Sequence, residues 1–186
     1  MSDGEIEKRP RGLVRQQRRR GDLDKNLVGF VVGDAQYAIE IHRVREIIRP
    51  LPIVALPHAP PAIVGVADHR GEVVPVLEVR RRFGLAPAPA TRRTKWILVT
   101  LNARTVGLVV DSVSEVFGVG EADRRPTPSV GGGDAARGII AVYGHLGTLV
   151  FVLDVDRIAA AAELVDVAER PLEAASARSR GREGHS

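Results

Sequence analysis

Cysteine is absent from the 186 residues, which excludes a disulfide framework, a zinc-thiolate site, an iron-sulfur cluster and a thiol nucleophile. No apolar run approaches the ~18 to 20 residues that span a bilayer, and the N-terminus is polar and Arg-rich rather than a charged start followed by an apolar stretch. The expectation is therefore a soluble, unprocessed, cytoplasmic protein. Lysine occurs only as Lys8, Lys25 and Lys95, so the formal net charge of +4 and the pI near 10.1 are carried almost entirely by Arg. A balance of that kind calls for something anionic to be considered as a partner. What is present is ordinary: 44% apolar and 27% charged residues place the chain among globular proteins of one to two domains.

The basic residues are unevenly spread. Lys8, Arg9, Arg11, Arg15, Arg18, Arg19 and Arg20 crowd the start beside Asp3, Glu5, Glu7, Asp22 and Asp24, and residues 1–25 hold too little apolar area to offset the entropy of ordering them. Residues 170–186 read the same way, so both ends are expected to be disordered tails around a domain spanning 26–160. Inside it, short β-branched runs alternate with Gly, Pro, Asn or Asp. They predict strands at 27–33, 36–41, 62–68, 73–79, 96–101, 106–110, 138–143 and 148–155. Turn residues Gly33-Asp34 and Leu101-Asn102-Ala103 predict hairpins. Pro75, having no N–H for a ladder, predicts an edge strand or a bulge.

The pattern is written twice. GEVVPVLEVRRRF (71–83) overlays GTLVFVLDVDRIA (147–159), matching Val74 with Val150, Val76 with Val152, Leu77 with Leu153 and Glu78 with Asp154. AIEIHRVREI (38–47) overlays GLVVDSVSEV (107–116), matching Ile39 with Leu108, Val44 with Val113, Glu46 with Glu115 and Ile47 with Val116. Neither copy buries much alone, so two small β-barrels packed together are the economical fold; the strand tally by itself also fits one sandwich. Apolar spacing of i, i+3, i+4 predicts two short helices. One lies in HRVREIIR through Val44, Ile47 and Ile48, the other in DSVSEVFG through Val113, Val116 and Phe117, with Asp111 as N-cap and Gly118 ending it. A C-terminal helix is expected over 156–169.

Chemistry is sparse. His42, His58, His69, His145 and His185 fall in no H-x-x-x-H or H-E-x-x-H spacing, so no metal site is expected. Gly131 to Gly133 lack the Lys-Ser/Thr of a phosphate loop and read as a flexible loop, and no G-x-S-x-G marks a nucleophile. Glu78 and Asp154 recur at equivalent positions, which favours a structural role such as satisfying a turn over acid-base work. The expectation is a protein without catalytic residues, cofactor or metal.

AIVGVADHRGEVVPVLEVRRRFG (62–84), preceded by VREI and followed by VGLVVDSVSEVFGV, RRPTPSV and ARGIIAVYGHLGTLVFVLDVDRI, resembles the CheW family of chemotaxis coupling proteins over roughly residues 26–160. The resemblance implies an all-β fold of two SH3-like five-stranded barrels and a non-enzymatic adaptor. Such an adaptor links a CheA-type histidine kinase to the cytoplasmic tip of chemoreceptors and meets membrane only through them. It further implies that Val44, Gly65, Arg70, Gly71 and Val113 lie at or near a groove that accepts the receptor hairpin, and that Glu46 and Val73 contact the kinase. The bland readings are turn backbone for the glycines, core for the valines and a solvated charge for Glu46. Asp68-His69 stands where the family usually has Asn-Leu, Glu78 where a shorter Asp is common, and the basic leader is not a general family feature. A competing reading is a module that binds nucleic acid or an anionic surface through that leader; five interleaved acidic residues and the absence of stacking aromatics in it argue against.

Overall fold

The computed structural model describes residues 25–101, 103–126 and 138–160. The Arg-rich leader, the glycines Gly131 to Gly133, the expected helix beyond Ala160 and the tail after it lie outside the described residues. Strands β1 (Lys25–Val32) and β2 (Ala35–Glu40) form a hairpin, and a 3-10 turn at Ile41–Arg43 leads into β3 (Val44–Ile48). Next come β4 (Ile63–His69), β5 (Glu72–Glu78) and the one-turn helix α1 (Val79–Arg82). The second copy runs β6 (Lys95–Leu101), β7 (Arg104–Val110), β8 (Ser112–Val119), a 3-10 turn at Glu121–Asp123 and the two-residue β9 (Arg124–Arg125). It ends with β10 (Ile139–His145), β11 (Thr148–Leu153) and helix α2 (Val155–Ala160).

All eight expected strands are present, and both predicted short helices are strands instead. HRVREIIR contributes β3, and DSVSEVFG contributes β8. Asp111 and Gly118 therefore do not begin and end a helix. The helical spacing arose because Ile47 and Val116 carry apolar side chains on the outer face, where they are exposed. Val44, Glu46 and Ile48, the alternate positions of β3, are the less exposed ones.

The strands form a six-stranded sheet, β8-β1-β2-β11-β10-β9, and a five-stranded sheet, β3-β6-β7-β5-β4. Each takes its leading hairpin from one copy and its remaining strands from the other. The resulting pairings are equivalent residue by residue: Val152 lies opposite Ala38 in one parallel pair, and Val76 opposite Gly107 in the other. Val113 faces Phe30 as Val44 faces Val99. Even the irregularities match, one between Ile63 and Gly65 on β4 and one between Ile139 and Ala141 on β10. The sheets curl into two SH3-like barrels, which sets aside the single sandwich. Because each barrel needs strands from both copies, neither copy has its own core.

The largest apolar cluster draws Val28, Phe30 and Ile39 from one sheet, Leu77, Ile97 and Leu108 from the other, and Ile158 from α2. Each barrel then has an interior of its own. Leu27, Ala38 and Tyr143 fill the six-stranded one; the equivalent positions of the five-stranded one hold Trp96, Gly107 and Ala67. The bulk moves from Tyr143 on one strand to Trp96 on another, and a Cβ at Gly107 would lie 3.5 Å from the Trp96 ring, so the small residue beside the indole is part of how the second interior packs.

Pro75 sits on β5, an interior strand, rather than on an edge. Val66 exchanges backbone hydrogen bonds with Val54 at 2.8 and 2.9 Å, so its polar groups point away from β5 and the facing Pro75 needs no N–H for β4. On the other side, pairing with β7 begins only at Val76. Where the chain crosses between barrels, an ion pair pins it. Arg80 donates from Nε and Nη2 to the two oxygens of Asp111 at 2.7 and 2.8 Å, and Gly33 N–H adds a bond at 2.7 Å. At the other crossover Arg43 donates to Asp156 at 2.6 Å, with the charges reversed.

Candidate functional site

The hairpin joining β4 to β5 turns through Arg70 and Gly71, both at positive φ (56° and 82°), as the twist of a two-residue hairpin requires. Asp68 stabilises it by accepting the Gly71 N–H at 2.7 Å. Glycine is free in that conformation, but Arg70 is not. An arginine held there, with its side chain 75% exposed, points to a surface role for the guanidinium. The opposite edge strand, β3, brings Glu46 to the same place. Its Oε1 accepts from Arg70 Nη2 at 3.0 Å, and its Oε2 lies 3.2 Å from Nε2 of His69, a residue only 9% exposed.

A second pair lies beside the first. Arg45 donates to Glu72 at 2.8 Å and also to the Thr105 hydroxyl. The Thr105 hydrogen bond, together with Arg45, holds the Glu72 carboxyl below its ordinary range against the opposing cost of burial. Val73 is exposed on the adjoining face, across from Asp68.

Glu46, Arg70, Gly71 and Val73 thus converge on one end of the five-stranded barrel. The other expected residues stand apart. Val44 and Val113 are half-buried against the shared core, one in each barrel. Gly65 lies within β4 at φ 145°, where a Cβ would come 2.3 Å from the Val54 carbonyl oxygen; its need for glycine is a backbone matter. Sequence reasoning missed His69, Arg45 and Glu72 as members of the cluster. It also missed a second, equivalent site, in which Glu115 lies 3.1 Å from His145 and His145 stacks on Phe117 with centroids 4.0 Å apart. Leu146 takes the place of Arg70 there, at φ 49° and 84% exposed, among exposed Val116 and Leu149. The signal was available: the repeat alignment, carried two residues back, pairs His69 with His145 and Arg70 with Leu146.

The cluster offers hydrogen-bonding charges and apolar rim residues but no catalytic arrangement. Among the described residues no group of His, Asp and Glu could hold a metal ion, and no helix is long and apolar enough to cross a membrane. A model of the CheW-like domain matches residues 26–163. The chain belongs to the CheW family. It is 36% identical over 129 residues to the chemotaxis protein CheW of Rhizobium meliloti (strain 1021), covering 68% of this chain and 83% of that protein. It is 34% identical over 120 residues to the protein FrzA of Myxococcus xanthus, covering 62% and 74%. Among solved structures it resembles the scaffolding protein TtCheW from Thermoanaerobacter tengcongensis with a TM-score of 0.66 at 25% identity, covering 72% of this chain and 91% of that one. CheW-family proteins are scaffolds and adaptors of chemotaxis rather than enzymes, which agrees with a site made of paired charges on a hairpin tip.

Proposed function

We propose that this protein is a cytoplasmic, non-enzymatic adaptor that couples a CheA-type histidine kinase to the cytoplasmic signalling tip of methyl-accepting chemoreceptors. The observation that carries the reading is the Arg70–Glu46 pair. One guanidinium, held outward by a strained tip, and one carboxylate on the facing edge strand lie within hydrogen-bond distance. In this reading Arg70 and Gly71 meet the receptor directly. Val44 and Val113 shape the receptor face from the two barrels, and Gly65 keeps the β4 backbone against Val54. Glu46 and Val73 face the kinase, with an exposed valine beside a charge supplying the apolar anchor and polar rim that protein interfaces use.

The test is co-purification of the full chain with the regulatory domain of a CheA-type kinase from the same genome and with a receptor-tip fragment. Arg70→Ala is expected to weaken receptor capture about tenfold, as loss of an interface arginine commonly does, while kinase capture is retained; Glu46→Ala and Val73→Ala are expected to weaken the kinase contact. Failure of the wild type to bind either partner would overturn the coupling role, and equal loss of both partners on Arg70→Ala would overturn the division of the site.

A further inference from the structure

The two ends of the five-stranded barrel differ in how their charges are used. At the hairpin-tip end, Arg45 and Arg70 are paired with Glu72 and Glu46. The opposite end is formed by the end of β3, the start of β6, the end of β7 and the end of β5. Arg49 follows β3 there, Arg92 and Arg93 lead into β6, Lys95 begins it, and Arg81 lies in α1. Arg49, Arg81, Arg92 and Arg93 are exposed. Of the acidic residues at this rim, Asp111 is already taken by Arg80, and Glu78 is half-buried with Arg80 and Arg81 nearby. None of Arg49, Arg92, Arg93 and Lys95 has a carboxylate within ion-pair distance among the described residues.

The cations are also built into place. Thr91 N–H donates to the Thr94 hydroxyl at 2.8 Å, Thr94 N–H to the Thr91 carbonyl at 3.2 Å and Arg93 N–H to the Thr91 hydroxyl at 3.1 Å. Lys95 Nζ closes the turn on the Arg92 carbonyl at 3.1 Å. Thr94 is buried, so the turn is anchored and Arg92 and Arg93 stand at its tip. Pairing of Ile48 with Trp96 brings Arg49 beside Lys95. The repeat supplies a control: the positions equivalent to Arg49 and Lys95 in the six-stranded barrel are Gly118 and Asn26, paired with each other and uncharged. The charges at Arg49 and Lys95 therefore belong to one barrel and are not a consequence of the fold, whereas Arg81 has its counterpart in Arg157.

We infer that this rim is a docking site for an acidic peptide segment, a run of Asp and Glu carboxylates on a protein partner. Guanidinium groups offer planar, paired donors that match carboxylates. Single-stranded nucleic acid would need an aromatic face, and Trp96, the aromatic residue next to the turn, is only 1% exposed. Seating on a lipid surface combines charge with an inserted apolar side chain, and residues 91–95 present only Thr, Arg and Lys.

The test uses the full chain, isotope-labelled for amide chemical shifts, titrated with a hexaglutamate peptide at 50 mM and at 200 mM salt. The expected result is shifts at Arg49 and Thr91 to Lys95 that weaken with salt. The double variant Arg92→Gln/Arg93→Gln is expected to bind about fivefold more weakly, the size expected for two exposed ion pairs, with Arg49→Gln as a smaller independent loss. The leader variant Arg18→Gln/Arg19→Gln/Arg20→Gln is expected to bind as the wild type does. Shifts elsewhere, or a loss confined to the leader variant, would overturn the site. Tighter binding of duplex DNA or of phosphatidylglycerol vesicles at the same residues would overturn the acidic-peptide assignment.

Discussion

The six-stranded and five-stranded barrels share their pairing residue by residue, down to the position of each irregularity, yet they present different chemistry. One tip carries Arg70 beside a Glu–His pair; the other carries Leu146 beside an equivalent Glu–His pair. Geometry is what duplication conserved, and side chains at a few turn and rim positions are what it left free to diverge. The comparison also separates structural from functional readings of a residue, since a position that matters only for folding should matter in both copies or have a visible reason not to.

Gly65 provides the largest test. Its equivalent is Ala141, which accommodates a Cβ, whereas at Gly65 a Cβ would meet the Val54 carbonyl at 2.3 Å on a backbone at φ 145°. Gly65→Ala is expected to cost about 3 kcal/mol in urea unfolding, by overpacking and backbone strain together. Ala141→Gly is expected to cost only about 1 kcal/mol, the entropy of a strand glycine. Equal costs would mean that the Val54 segment moves aside and that Gly65 is not fixed by packing.

The crossover pairs come next. Asp111 receives three donors, from Arg80 and Gly33, whereas Asp156 receives Arg43 on a side chain 57% exposed. Asp111→Ala is expected to cost about 2 kcal/mol and Asp156→Ala about 0.5 kcal/mol, the difference between a multiply bonded carboxylate and a surface pair. Burial alone would raise the Asp111 carboxyl, but the Arg80 and Gly33 bonds outweigh it and hold it below the ordinary 3.8. An acid with a lowered folded value stabilises above its unfolded value and loses that contribution as pH falls through the folded one. The wild-type advantage over Asp111→Ala should therefore be complete near neutrality and shrink below about pH 3.8. A difference that stays constant to pH 2 would show that packing, not charge, is the cause.

A smaller contrast separates Glu78 from Asp154, two acids at equivalent positions. Asp154 accepts the Asp156 and Arg157 amides at 2.9 and 3.3 Å and so caps α2; Asp154→Ala should cost about 1 kcal/mol. Glu78 is half-buried, and burial raises its carboxyl above the ordinary 4.5 despite the Arg80 backbone amide and the nearby arginine charges. A raised folded value means that ionisation works against the fold at neutral pH and that this cost disappears as pH falls through the folded value toward 4.5. Glu78→Gln should gain about 0.5 kcal/mol at pH 7 and nothing at pH 4. A loss at pH 7 would place Glu78 with Asp154 as a cap.

These contrasts also mark where the sequence can be read unaided. The eight strong strands and the repeat were visible because apolar alternation and β-branching are local signals. The exchange of hairpins between copies was not, since pairing between β2 and β11 or β5 and β7 depends on contacts far apart in the chain. Nor were β3 and β8. An exposed Ile47 or Val116 on a strand's outer face completes a helical i, i+3, i+4 pattern, and only tertiary pairing decides between the two. Those same residues flank the candidate sites, so the surface that misled the periodicity is the one of functional interest. Arg70, Gly71, Glu46 and Val73 came from the family resemblance; His69, Arg45 and Glu72 became visible only when β3 and β4 met.

The tips themselves should matter least to stability and most to recognition. Arg70 and Leu146 are both largely solvated, so Arg70→Leu and Leu146→Arg should each change unfolding free energy by less than about 0.5 kcal/mol. In the adaptor reading, receptor-tip capture should fall about tenfold for Arg70→Leu and be unchanged by Leu146→Arg, even though the new guanidinium would sit beside a Glu–His pair of the same geometry. Restoration of capture in the doubly exchanged protein would mean that a tip arginine beside a Glu–His pair suffices in either barrel. Its failure would mean that the receptor reads the surroundings of Arg70 as well, including the Arg45–Glu72 pair, whose equivalents in the six-stranded barrel are the uncharged Ser114 and Thr148.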